Sequence, residues 1–157
     1  MIHESKNNFG GYFEDFVIGD VFKHWPGKTI TEMDNHLFSL LTMNHNPLHI
    51  DEHYMTNHQH KKILVVGTLV FSLIVGMSVK DISGKAIANL EYENIVHYKP
   101  VFQGDTLYAI STILDVVLSK TKTDRGIVYL ETIGENQSKD KVISLRRRFL
   151  VPKKHVE

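Results

Sequence analysis

Residues 63–79 read ILVVGTLVFSLIVGMSV, an uncharged stretch flanked by Lys61 and Lys62 on one side and Lys80 on the other. Its length falls at the lower edge of the ~17 to 25 residues that a bilayer span needs. Gly67, Ser72, Gly76 and Ser78 interrupt it, and a lone span would have to coexist with a strand-rich remainder. A helix apolar on every side and buried inside the protein fits better. No membrane is expected.

Downstream the pattern changes. AIANLEYENIVHYKPV, TLYAISTILDVVLSKT, GIVYLETIGENQ and KVISLRRRFLVP are rich in β-branched and aromatic residues, with turn signals at FQGD, KTDRG and NQSKDK. In the second segment Leu107, Ala109, Ser111 and Ile113 alternate weakly with Tyr108, Ile110 and Thr112, which predicts a strand partly covered on both faces. Upstream, GDVFKHW reads as a strand and PGK as a turn. TEMDNHLFSLLTM places Met33, Leu37, Leu40 and Leu41 at helical spacing, with Phe38 beside them, after a Thr31–Asp34 capping pair. Pro47 drives Asn46 out of the helical region, so this helix ends at or before Asn46. Asp51 is placed to cap a short second helix, EHYMTNH.

Helices first and hairpin-linked strands after them predict an α+β fold, an antiparallel sheet curling round the apolar helix. Free sheet edges and the uncovered helix face predict a homodimer, or a multiple of one, that continues the sheet. The 157 residues are 42% hydrophobic and 23% charged, expected to form one domain over 1–157 with its core at about 15–151. Eighteen basic residues balance eighteen acidic ones, which gives no electrostatic case for nucleic acid. The chain has no cysteine, excluding disulfides, thiolate nucleophiles and cysteine-ligated zinc. MIHESKNNFGGYFEDF lacks the order of a secretory signal, so the cytoplasm is the expected setting.

The chemistry concentrates in residues 40–55, LLTMNHNPLHIDEHYM. His45, His49, His53, His58 and His60 invite a metal, but Pro47 breaks the helical face that His45 and His49 would need. Neither HExxH nor a compact carboxylate cluster completes a site, and no metal is expected. Asn44, Asn46 and Asp51 read as turn and cap residues with His49 a satisfied loop histidine. They read equally as a site in which His49 transfers a proton while the two amides orient a water or a carbonyl. Gly67, where the apolar helix should begin, offers an unsatisfied N–H and the positive end of a helix dipole to an oxygen gaining negative charge. The plainer alternative is close packing. Ser72, without a G-x-S-x-G elbow, either bonds back to its own turn or lines a buried site.

TMNHNPLHIDEHYM resembles the signature of MaoC-like dehydratases and R-specific enoyl-CoA hydratases, whose usual form reads D-x-N-P-x-H-x-D. VVGTLVFSLIVG is similar to the start of that family's central helix, and YENIVHYKPVFQGDTL to its next strand and PV-x-x-GD-T turn. The likeness covers roughly residues 15–150 in the expected order. It implies a hotdog fold, a curved antiparallel sheet wrapped around one long central helix and usually paired into a dimer. It also implies reversible syn hydration of a 2-enoyl-CoA thioester in a tunnel, with the pantetheine arm near the subunit interface. By position it implies His49 as the catalytic histidine, Asn46 as the motif asparagine, Ser72 as the helix serine and Gly67 as the oxyanion glycine. The family's catalytic aspartate falls on Asn44, whose neutral amide cannot accept a proton from water.

TMN-x-x-PLH, GMSV and NLEYENI look most like the branch associated with mesaconyl-CoA hydration and methylmalyl-CoA dehydration. The expectation is a hydratase or dehydratase of a short, branched or dicarboxylic acyl-CoA, with Asn44 and Asn46 positioning water. It needs no cofactor, coenzyme A being part of the substrate. A hotdog thioesterase and a non-catalytic acyl-CoA-binding protein are the alternatives, the second favoured by Asn44. Arg146, Arg147 and Arg148 alternate along the last strand, either meeting anionic groups or solvated.

Overall fold

The computed structural model describes residues 8–154, so part of the N-terminal stretch read above for a secretory signal lies outside the described residues. The chain runs β1 (Val21–Lys23), β2 (Lys28–Thr29), α1 (Glu32–Leu41), α2 (Pro47–Ile50), α3 (Glu52–Thr56), α4 (Gly67–Met77), β3 (Ala88–His97), β4 (Thr106–Leu118), β5 (Arg125–Glu135) and β6 (Lys141–Pro152). β4, β5 and β6 lie side by side, with β3 against β6 at one edge and β1 and β2 against β4 at the other. Every pairing is antiparallel.

In β4 Leu107, Ala109, Ser111 and Ile113 are buried, while Tyr108, Ile110 and Thr112 are half-buried. Both faces are partly covered, as the weak alternation predicts. β3 is an outer strand whose Leu90, Tyr92, Ile95 and Val96 are exposed.

The apolar stretch forms a shorter helix than its composition suggests. Leu64 bridges to Phe102 and the Val65 N–H donates to the Val101 carbonyl at 2.9 Å, so this part of the chain is extended and α4 starts only at Gly67. The expectation of burial on every side is corrected. Leu69, Val70 and Ile74 are buried, but Thr68, Ser72 and Gly76 form an exposed stripe. These are the small or polar members of the helix, the ones whose exposure costs least. The closest seat on the sheet is Gly134 of β5, where a Cβ would lie 2.7 Å from Ile74 Cδ1 and 2.6 Å from Ile143 Cγ2.

α1 begins as expected. Thr31 caps it, accepting from the Asp34 N–H at 3.2 Å while its own N–H donates to Asp34 Oδ2 at 2.8 Å. The Lys28 ammonium donates to the same carboxylate at 2.8 Å and, with the cap, holds the Asp34 carboxyl down to about 2. Most of its apolar face, however, is turned outward: Met33 and Leu41 are each 75% exposed, and the residues facing inward are the buried Asn35 and Ser39 with the half-buried Phe38 beside them. Hydrophobic spacing alone would place Met33, Leu37, Leu40 and Leu41 inside. The polar pair wins because the groups it meets are backbone amides and carbonyls that need partners.

Two polar networks thread the interior. Arg147 of β6 is buried and donates to Asn89 Oδ1 (3.0 Å), Ser78 Oγ (2.8 Å) and Ser83 Oγ (3.1 Å). Among the described residues no carboxylate is paired with it, and burial pushes its guanidinium pKa below the ordinary value. Ser78 closes the C-terminus of α4, so the helix dipole supplies negative potential there. Arg146 and Arg148 point to the other face and pair with Glu131 and with Glu91 and Glu93. In the second network His24 Nδ1 meets Asp81 Oδ2 at 2.7 Å and Nε2 meets Ser111 Oγ at 2.8 Å, which in turn meets Thr132 Oγ1 at 2.8 Å.

Gly134→Ala should overpack the junction of α4 with the sheet and cost about 1–3 kcal/mol of unfolding free energy, measured by urea denaturation. Unchanged stability would mean that Ile74 and Ile143 move aside freely.

Candidate active site

The last turn of α1 sets up the loop that follows. Met43 N–H donates to Leu40 O at 3.2 Å and Asn44 N–H to Ser39 O at 2.9 Å, the paired bonds of a Schellman close. Met43 takes the left-handed conformation (φ 58°) where glycine is usual, at a cost of about 1–2 kcal/mol. Beyond it the two asparagines serve the turn. Asn44 Oδ1 accepts from the Asn46 N–H (3.4 Å), and Asn46 Oδ1 accepts from the Leu48 N–H (3.0 Å), capping α2 with Pro47 in its first turn.

This single turn presents His49. Its Nδ1 lies 2.8 Å from the Leu64 carbonyl oxygen. A carbonyl only accepts, so Nδ1 carries the hydrogen and Nε2 is the free, basic nitrogen of the neutral ring.

Asn35, fully buried on α1, holds both sides of this arrangement. Its Nδ2 donates to the carbonyls of His49 (3.1 Å) and Leu64 (3.4 Å), and its Oδ1 accepts from the Val66 N–H (2.9 Å). One amide therefore ties the histidine, the carbonyl that orients it, and the residue that precedes α4. Val66 is the N-cap of that helix and supplies no side-chain cap, so the Gly67 N–H has no acceptor among the described residues.

His49 and Gly67 line one cleft of about 310 Å3, together with His60, Leu64, Val65, Val70, His97, Tyr98, Lys99, Pro100 and Val101. No carboxylate lines it among the described residues. His49 also borders a smaller polar cavity of about 110 Å3 that carries Glu32, His36, Glu52 and Gln103. The histidine thus stands between an apolar-walled cleft and a wet, acidic recess.

Of the residues singled out in the sequence, His49 and Gly67 come together. Asn44, Asn46 and Ser72 are not among those lining the cleft, and the Ser72 hydroxyl donates to its own helix at Thr68 O (2.8 Å). Asn35 and His97 escaped the sequence reading. A lone asparagine on the inward stripe of α1 was the available signal for the first; nothing in YENIVHYKPV marked the second.

A family model described as MaoC like domain matches residues 15–136. The mesaconyl-CoA hydratase of Cereibacter sphaeroides is 32% identical over 149 residues, 95% of this chain and 43% of that protein. The beta-methylmalyl-CoA dehydratase of Chloroflexus aurantiacus is 33% identical over 151 residues, 96% of this chain and 42% of that protein. The chain thus spans less than half the length of these curated relatives. A Mycobacterium tuberculosis protein described as having a double hotdog fold superimposes with a TM-score of 0.84 at 21% identity, covering 92% of this chain and 45% of that one. The fold is a hotdog fold.

Asn35→Leu keeps the branching and the heavy-atom count but leaves the buried Val66 N–H and the His49 carbonyl without their partner. It should lower unfolding free energy by at least about 2 kcal/mol in urea denaturation. A loss below about 0.5 kcal/mol would show that these groups find other partners.

Proposed function

Because this chain belongs to the MaoC-like domain family, we propose that it adds water reversibly across the 2,3 double bond of a short enoyl-CoA. The observation that carries this reading is the sharing of one cleft by His49, with a free Nε2, and the unpaired Gly67 N–H. His49 Nε2 takes a proton from water as the oxygen adds to C3. The π electrons move onto the thioester oxygen, which accepts a hydrogen bond from the Gly67 N–H at the positive end of α4. The enolate then collapses and C2 takes the proton back from His49, which returns the imidazole to its starting state.

The substrate we propose is a branched, dicarboxylic enoyl-CoA of the mesaconyl type. The names of the two curated relatives support it, as does a cleft lined by His60, His97 and Lys99 with no carboxylate. Asn44, although outside the cleft lining, keeps a further negative charge out of the loop between α1 and α2. The proposed reaction draws on no cofactor beyond the coenzyme A of the substrate, and its proposed setting is the cytoplasm. Among the described residues no helix is long and apolar enough to cross a membrane.

The proposed working unit is a homodimer built along the free edge of β3. The exposed Leu90, Tyr92 and Ile95 and the open stripe of α4 support this, as does the doubled fold in a chain of more than twice the length.

Incubation with crotonyl-CoA and with mesaconyl-CoA tests the reaction. Enoyl absorbance should fall without release of thiol, and faster with mesaconyl-CoA. Thiol release would make the protein a thioesterase, and no change with either would make it a binder. In a folded His49→Ala variant kcat should drop on the order of a hundredfold or more; near-normal turnover would remove His49 from the mechanism.

Sedimentation at low micromolar concentration should give a dimer or a multiple of one. A stable monomer would overturn the assembly.

A further inference from the structure

His97 closes β3 and points its ring at the helix start across the cleft. A Cβ at position 67 would lie 3.2 Å from both Cε1 and Nε2 of that imidazole. The ring therefore rests close against the bare Cα of Gly67, where an added Cβ would press on it and require it to shift by a few tenths of an ångström. Other polar side chains lining the cleft have protein partners. His49 Nδ1 is bonded to Leu64 O, Tyr98 to Ser144 Oγ at 3.0 Å, Lys99 to Asp140 at 2.6 Å and His60 to Gln59 at 3.4 Å. The His97 ring makes no hydrogen bond among the described residues, although it sits beside the one backbone N–H that the hydration reading uses.

An enolate oxygen carries close to a full charge, and sites that stabilise such oxygens aim more than one donor at them. We propose that His97 is a catalytic residue, the second donor to the thioester oxygen beside the Gly67 N–H. The inference rests on the hydration reading above. When water adds, the O–H bond breaks toward His49 Nε2, the C3–O bond forms, and the C2–C3 π pair shifts to the thioester oxygen. The His97 N–H donates a hydrogen bond to that oxygen and keeps its proton. C2 then recovers the proton from His49, so nothing is consumed at His97.

The competing role is simple space filling against Gly67, which a phenylalanine would perform equally well. Two variants separate these. His97→Phe keeps the ring and removes the donor, and kcat for hydration should fall about a hundredfold with KM within a few-fold of the parent. His97→Gln restores an N–H and should recover kcat to within about tenfold. A His97→Phe enzyme within threefold of the parent overturns the proposal.

A second readout does not need turnover. The carbonyl stretch of bound [1-13C]butyryl-CoA, a saturated thioester that cannot be hydrated, should lie lower in the parent than in His97→Phe. Equal frequencies overturn the donor role. A parent protein that binds this thioester but hydrates neither enoyl-CoA breaks the hydratase reading alone and leaves the carbonyl comparison to decide on His97. A parent protein that binds neither this thioester nor either enoyl-CoA overturns both.

Discussion

The seating of Ile74 over Gly134 fixes the rest of the molecule. Two helical residues beside it, Leu69 and Val70, are buried with it, and each such side chain contributes on the order of 2 kcal/mol by leaving water. The position of α4 on the sheet determines where its N-terminus emerges, and hence where the Gly67 N–H points. β6 delivers Arg147 to the other end of that helix, at Ser78. A helix only eleven residues long is thus held at its C-terminus by Arg147 of the sheet and just ahead of its N-terminus by Asn35 of α1. The cleft inherits that rigidity on one wall, while the single turn of α2, pinned by Asn35, provides the opposite one.

The residues that orient His49 are all backbone or neutral. A carboxylate behind an imidazole stabilises its protonated form, whereas the Leu64 carbonyl fixes the tautomer with less pull on the charge. The consequence is an imidazole whose direction is defined by chain geometry, beside a cleft whose lining carries no carboxylate among the described residues. The acidic residues Glu32 and Glu52 are confined to the recess on the far side of the ring.

The strands and the helix were legible because periodicity and turn residues are local signals, but the pairing of β3 with β6 rather than with its neighbour β4 was not. The Thr31–Asp34 box and the Asp51 cap were legible for the same reason, since both are satisfied within one turn. The inside-out α1 was not, because its orientation is decided by the partners of Asn35 on segments 14 and 29 residues away. The early stop of that helix was hidden too: Met43 occupies a left-handed position with none of the glycine that normally announces one. Within the site, His49 and Gly67 could be named from their motif, but the motif says nothing about what stands opposite. His97 reaches the cleft through the pairing of β3 with β6, a long-range contact that no window of sequence contains. Arg147 illustrates the same limit, for only the fold separates it from its two solvent-facing neighbours.

Asp81, His24 and Ser111 lie at 2.7 and 2.8 Å in the order that defines a hydrolase triad. A search of structures by side-chain template would report a serine esterase here, in a fold where thioesterases are a natural suspicion. The resemblance is empty of chemistry, because Ser111 is wholly buried and its oxygen is occupied by Thr132. No acyl carbon can approach a hydroxyl walled in on every side. What the trio does instead is lock register. It joins the end of β1 to β4 and β4 to β5 by bonds that a slip of either strand would break, leaving polar atoms stranded in the core. Nucleophile and rivet are built here from the same three side chains, and access to solvent is what tells them apart.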